Sequence, residues 1–219
     1  MILTLIPYNF HTMPSRHERK EFVAGGLYHI YNRGIDKMEI YHSTDDYAYF
    51  ERSLTMYLCP ASELFTSLKQ STLPVSSKHL FHLLHRASRQ KNYSKEIKLL
   101  AFCLMPNHFH LLVQQVGERT ISQFMKSLQT CYAMYYGKKY GRIGPLFQAR
   151  YKGIHVKNET YYKTVLNYIH DNPSELQFGT QNPEEYLWSS LRDYLGTRER
   201  SWISKATNLN RLRSSKYLR

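Results

Sequence analysis

No run of eighteen or more apolar residues occurs in this 219-residue chain, which excludes a membrane-spanning helix. The opening Met1-Ile-Leu-Thr-Leu-Ile-Pro7 stretch is too short for a signal peptide and lacks a basic start and a small-residue cleavage site, so a cytoplasmic location is expected. Cysteine is scarce. Cys59, Cys103 and Cys131 are widely separated and show no CxxC spacing, which argues against a disulfide framework and a zinc knuckle and leaves buried, reduced thiols. Nothing in the chain resembles a Walker-type phosphate loop. Acid is in short supply: 17 Asp and Glu stand against 30 Lys and Arg, a formal charge of +13.

That imbalance exceeds what solubility requires and points to a polyanionic partner. The aromatic share is 14%, with 19 Tyr, and cations interleaved with flat rings suit phosphates and bases better than a membrane surface. Eight Lys or Arg and no acid lie between Arg119 and Asn158: Arg119, Lys126, Lys138, Lys139, Arg142, Arg150, Lys152 and Lys157. Tyr135, Tyr136, Tyr140, Phe147 and Tyr151 interrupt this window, which reads as a backbone-tracking groove. Six more basic residues without an acid occupy Arg200 to Arg219, a tail expected to order on phosphate.

The length suits one domain with attachments. Residues 1–24 read as an arm, with Met13 a possible alternative start, and 176–219 as a peripheral segment with Trp188 and Trp202 as anchors. Between them, 25–175 form the main domain. Leu27–Tyr31 is β-prone and stops at Asn32-Arg33-Gly34. A helix follows a Ser43/Thr44 cap, with Tyr47, Phe50, Leu54 and Tyr57 at core spacing, and ends before Pro60. Residues 60–95 look like an insertion carrying one helix. Ile97–Leu104 and His108–Gln115 make a hairpin around Met105-Pro106-Asn107. A long helix starts at Thr120, a strand is expected from Phe147 to Val156, and a last helix runs from Asn158 to just before Pro173. The order β-α-β-β-α-β-α matches a ferredoxin-like (split βαβ) α+β fold, an antiparallel sheet with helices on one face and the other face free for a site.

Strand alternation puts His108 and His110 on one face while Phe109, Leu111 and Val113 enter the core, so two imidazoles can share a metal ion. An HxH pair is often accidental. A second element raises its weight: Tyr168 and Asn172 are i and i+4 on the last helix, beside the Tyr162/Val165/Leu166/Ile169 stripe, where they can look onto the sheet.

With His108-Phe109-His110 and Tyr168-Ile169-His170-Asp171-Asn172-Pro173, the chain resembles the REP-associated tyrosine transposases of the insertion-sequence 200-like, single-tyrosine HUH superfamily. Supporting segments are Gly26–Gly34, Lys139–Tyr151 and Asn182–Ser190, so the resemblance spans about Gly25 to Tyr194. It departs in the longer 60–95 stretch and in Ser174 after the Asn-Pro pair. The resemblance implies a metal-dependent strand transferase of the HUH endonuclease type that nicks and rejoins single-stranded DNA through a 5′-phosphotyrosine, at a hairpin-containing repeat. Tyr168 would be the nucleophile, and His108, His110 and Asn172 would hold Mg²⁺ or Mn²⁺. Three neutral ligands leave positions open for substrate oxygens. His170 is a candidate helper and Tyr161 a rival nucleophile. Arg33 and Gln148 would add specificity, with Lys138, Lys139, Arg142, Arg150 and Lys152 contacting DNA. The expected partner is single-stranded or hairpin DNA, with the protein nucleoid-associated when bound; monomer and homodimer both remain open, as does a site completed by a swapped helix. Two competing functions are a non-catalytic nucleic-acid-binding protein on the same fold and a metal phosphoesterase that uses water.

Overall fold

The computed structural model describes residues 22–117, 120–176 and 182–205. Most of the expected N-terminal arm, Arg119 and the tail beyond residue 205 lie outside the described residues. Four strands, β1 (Leu27–Arg33), β2 (Ile97–Met105), β3 (His108–Gln115) and β4 (Lys152–His155), form one antiparallel sheet in the order β2-β3-β1-β4. This is the expected split βαβ order, and the fold is α+β. Helix α1 (Thr44–Leu58) begins in a capping box in which Ser43 and Asp46 satisfy each other's backbone N–H groups. Helix α4 (Thr120–Tyr140) runs to Gly141, whose φ of 65° ends it without the strain a side chain would meet.

Helices α1 and α4 cover one face of the sheet. Phe50, Leu54, Phe124, Leu128 and Tyr132 pack there on Ile30, Phe102, Phe109, Leu111 and Val113. The other face is not left free. Helix α5 (Glu159–Asp171) lays Tyr162, Val165, Leu166 and Ile169 on Cys103, Met105 and Leu112, because its apolar stripe needs cover that the filled face cannot give. The three cysteines are buried and free, as expected.

Residues 60–95 differ from the single expected helix. They hold two, α2 (Leu64–Lys69) and α3 (Ser77–Ala87), whose Leu64, Leu68, Leu80 and Leu83 extend the main core against α1. Leu73-Pro74 breaks the segment between them. The last strand is also shorter than the expected Phe147–Val156. From Phe147 to Tyr151 the chain is irregular: regular pairing with β1 stops at Tyr31–Lys152 and returns only as the isolated Gly34–Phe147 bridge, while Asn32 Nδ2 donates to Ala149 O and Gln148 N–H to Arg33 O. Residues 182–205 wrap the edge of β2 through short helix α6 (Leu191–Tyr194), Trp188 stacked on Tyr47 and Trp202 stacked on Phe102. Arg200, read as part of a basic tail, is instead buried against Glu51 and Asp193. Among the described residues no helix is long and apolar enough to cross a membrane.

Candidate active site

The polar half of the α5-covered face is built by two central strands. Tyr31 pairs with His110 and Arg33 with His108, so alternation stands His29, Tyr31, His108 and His110 together on one side of the sheet. The end of α5 crosses above them. The Tyr168 ring meets His110 edge-on at a centroid separation of 5.3 Å and His29 at 6.0 Å. Asn172 closes the group, with Oδ1 3.3 Å from His108 Nε2. All four expected catalytic and metal-holding side chains converge within one chain.

The surrounding hydrogen bonds set which atoms face inward. Asn107 donates from Nδ2 to Lys37 O, so its Oδ1 is an acceptor, and His108 Nδ1 lies 2.6 Å from it. The His108 proton therefore belongs on Nδ1, where it donates to Asn107, and the lone pair is on Nε2. Asn172 donates from Nδ2 to Tyr168 O at 2.7 Å, the i to i+4 bond of a helix end, which turns its Oδ1 toward His108. Two acceptors thus confront each other across 3.3 Å. Unless a proton or a cation sits between them, that arrangement is repulsive.

Burial resists the proton. His108 is shifted below the ordinary imidazole value by burial, partly offset by Asn172 and reinforced by the nearby Arg33 charge. His110 lies well below it through burial and the neighbouring His29 and His108. His29, pushed down by burial to about 4, sits with Nε2 2.8 Å from His110 Nδ1. If His29 accepts the Nδ1 proton of His110, the His110 Nε2 lone pair is released as well. His29 was missed in the sequence. Its signal was the alternation of Tyr28 and Ile30 with His29 and Tyr31, which becomes meaningful only once β1 is known to pair with β3.

Burial also raises the Tyr168 phenol to about 12, with Glu175 adding to the shift and Asn172 opposing it. His170 does not assist it. That imidazole is buried, bonded at 2.8 Å to Ser190 Oγ, and lowered by burial to about 3, so it braces α5 against residues 189–194. Tyr161 packs with the apolar cluster under α5.

The expected DNA-contacting residues fall into three places. Arg33 and Gln148 hydrogen-bond each other beside His108, and Lys152 Nζ stands 5.9 Å above the Tyr31 ring, next to His110. Arg150 lines an open cleft of about 520 Å³ with Lys126, Gln123 and Tyr151. Lys138 is exposed near the end of α4, Arg142 just beyond it is half-buried and donates to Pro145 O, and Lys139 is engaged by Asp46 at 2.7 Å. Burial would raise Asp46, but hydrogen bonds from Lys139, Tyr140, the His42 N–H and Tyr135 bring it down to about 2. The aromatics of this window are largely unavailable to bases. Tyr136 is buried and Tyr135 stacks on Tyr49, because an amphipathic helix turns most of its rings inward, Tyr140 at its end staying exposed; Tyr151 is buried beside Ser122.

Residues 72–172 match the family model of IS200-like transposases. The matched span is just under half of the chain. His108, His110, Tyr168 and Asn172 all lie inside the matched span, while β1 with His29 and Arg33 lies before it. A solved REP-associated tyrosine transposase, bound to a REP hairpin, is similar in fold to this chain: TM-score 0.54, 12% identity, 84% of this chain and 86% of that one covered. No curated protein matches the chain.

Proposed function

We propose that this domain nicks and rejoins single-stranded DNA through a 5′-phosphotyrosine on Tyr168, with a divalent ion, Mg²⁺ or Mn²⁺, held by His108, His110 and Asn172. The observation that carries the reading is the convergence of two imidazoles from the sheet with the amide and phenol of α5. Asn172 Oδ1 and His108 Nε2 face each other at 3.3 Å, and the Tyr168 ring flanks His110 next to them. Neutral imidazoles and an amide fit a metal that must keep its charge for a phosphate oxygen. Among the described residues no trio of His, Cys, Asp and Glu offers a competing site.

Bound there, the ion would polarise the scissile phosphodiester and absorb charge gained in the transition state. The chain supplies the rest. A phenol at about 12 stays protonated at rest and gives up its proton to solvent as its oxygen bonds to phosphorus. The bond to the 3′ oxygen breaks, that oxygen takes a proton, and the ester energy is kept in the Tyr168–phosphate bond. A different 3′-hydroxyl reverses the step, so no nucleotide is consumed. Asn172, anchored to the helix carbonyl of Tyr168, holds phenol and amide in one register. Arg33, bonded to Gln148 beside His108, suits a flanking phosphate or base edge.

The hairpin in the similar solved structure supports a hairpin-containing substrate for this chain. Incubation of the protein and Mn²⁺ with labelled single-stranded DNA from the flanks of its own gene tests the reading on a denaturing gel. A slow-migrating covalent adduct, lost in Tyr168→Phe, is expected. An equal adduct from Tyr168→Phe, or cleavage to a free 5′-phosphate with no adduct, would contradict it.

A further inference from the structure

From Leu64 to Lys95 the chain contains six Lys or Arg, three His and no acid. Helix α3 sorts this composition by face. Leu80 and Leu83 are buried against the core, while Lys78, Phe81, His82 and His85 follow one another along the exposed side at helical spacing, with Arg89 exposed just past the helix end. Phe81 is 66% exposed, and its ring lies parallel to His85 at 6.4 Å. On the adjoining α2, Phe65 is 48% exposed beneath Lys69 Nζ, 4.4 Å from the ring centroid.

A merely solvated face needs cations and no rings, and a face packed on protein would not leave Phe81 in water. Open rings set among an excess of positive charge, with Glu63 before α2 and Glu96, paired with Lys91 at 3.7 Å, flanking the stretch, match a partner that is both polyanionic and flat-ringed. The window of residues 119–158 has the charge but keeps most of its aromatics in the core; α2 and α3 have both at the surface. The surface is also continuous with the cleft: Lys91, just after α3, donates to Gln123 at 3.0 Å, and Gln123 lines the cleft with Lys126 and Arg150. A second copy of the chain fits poorly, since two such faces would repel.

We infer that the exposed face of α3, extended by Phe65 and Lys69 of α2, is a second nucleic-acid contact that stacks single-stranded bases on Phe81 and guides the strand toward the Lys126/Arg150 cleft. The inference rests on the nucleic-acid reading above but not on cleavage. It assigns residues 60–95 a task the transfer chemistry does not require: holding the strand beside the hairpin.

Fluorescence anisotropy of a labelled oligothymidylate of about 30 nucleotides, titrated across salt concentrations, tests it. Phe81→Ala is expected to weaken binding by at least about 5-fold, since each stacked base is lost with its ring. Lys78→Ala with Arg89→Ala is expected to reduce the slope of log affinity against log salt by about 1.4, roughly 0.7 for each phosphate contact. All three side chains are exposed, and unchanged near-ultraviolet circular dichroism will show that the fold is intact. Wild-type binding with unaltered variant affinity and slope would overturn this surface alone, as would variants that change only self-association or binding to anionic phosphatidylserine vesicles. A wild-type protein that binds neither the oligothymidylate nor a hairpin would overturn the nucleic-acid reading with it.

Discussion

The two faces of strand β3 are made from alternate residues of one short sequence, yet they do different work. Phe109, Leu111 and Val113 lie fully buried under α1 and α4, where only volume and apolarity matter. His108 and His110, one residue out of phase, share the opposite face with His29, Tyr31 and the end of α5. One face tolerates no void; the other gathers imidazoles, a phenol and an amide at its polar end. Stability should therefore follow the first face, and chemistry the second.

Tyr168→Phe offers the sharpest break between them. Adduct formation should fall below detection on a denaturing gel, while the midpoint of thermal unfolding hardly moves, because the phenol stands at the edge of the packed interface. Phe109→Ala should do the reverse, lowering unfolding free energy in urea by about 3–5 kcal/mol through the cavity it opens. A Phe109→Ala protein as stable as wild type would show that the α1/α4 face is not the main core.

His29→Ala falls between these cases. Its imidazole touches His110 and no expected substrate, so its loss should weaken Mn²⁺ binding in calorimetry by about 10- to 100-fold, as removal of an outer partner does at other metal-bound histidines. Affinity unchanged in this variant would deny His29 any part in orienting His110.

Acid should act on the same half of the molecule. Unfolded imidazoles take up protons near 6.5, but His29 resists until about 4 and His170 until about 3. Between those values the unfolded state binds more protons, so stability falls as pH drops; each residue should cost about 2 kcal/mol between pH 7 and pH 5. Urea midpoints measured at both pH values check this, and a flat profile would mean that these imidazoles are not buried as neutral groups.

The sequence carried the sheet order, the limits of α1, α4 and α5, and the His108/His110/Tyr168/Asn172 group, because each depends on local spacing: period two in β3, i to i+4 in α5. What it concealed was non-local. His29 is 81 residues from His110, and only the β1–β3 register brings them together. The covering of the second face by α5 depends on which face α1 and α4 fill first, and no pattern within α5 declares it. Charge density misled in a similar way. Counting cations between 119 and 158 could not reveal that Lys139 is taken by Asp46, or that Tyr136 and Tyr151 are buried.

Diffraction at the manganese absorption edge from crystals soaked in Mn²⁺ bears most directly on the convergence at the α5 end of the sheet. One anomalous peak bonded to His108 Nε2, His110 Nε2 and Asn172 Oδ1, on the side facing the Tyr168 hydroxyl, is the expected result. A peak confined to other histidines, or none at a concentration that supports cleavage, would contradict it.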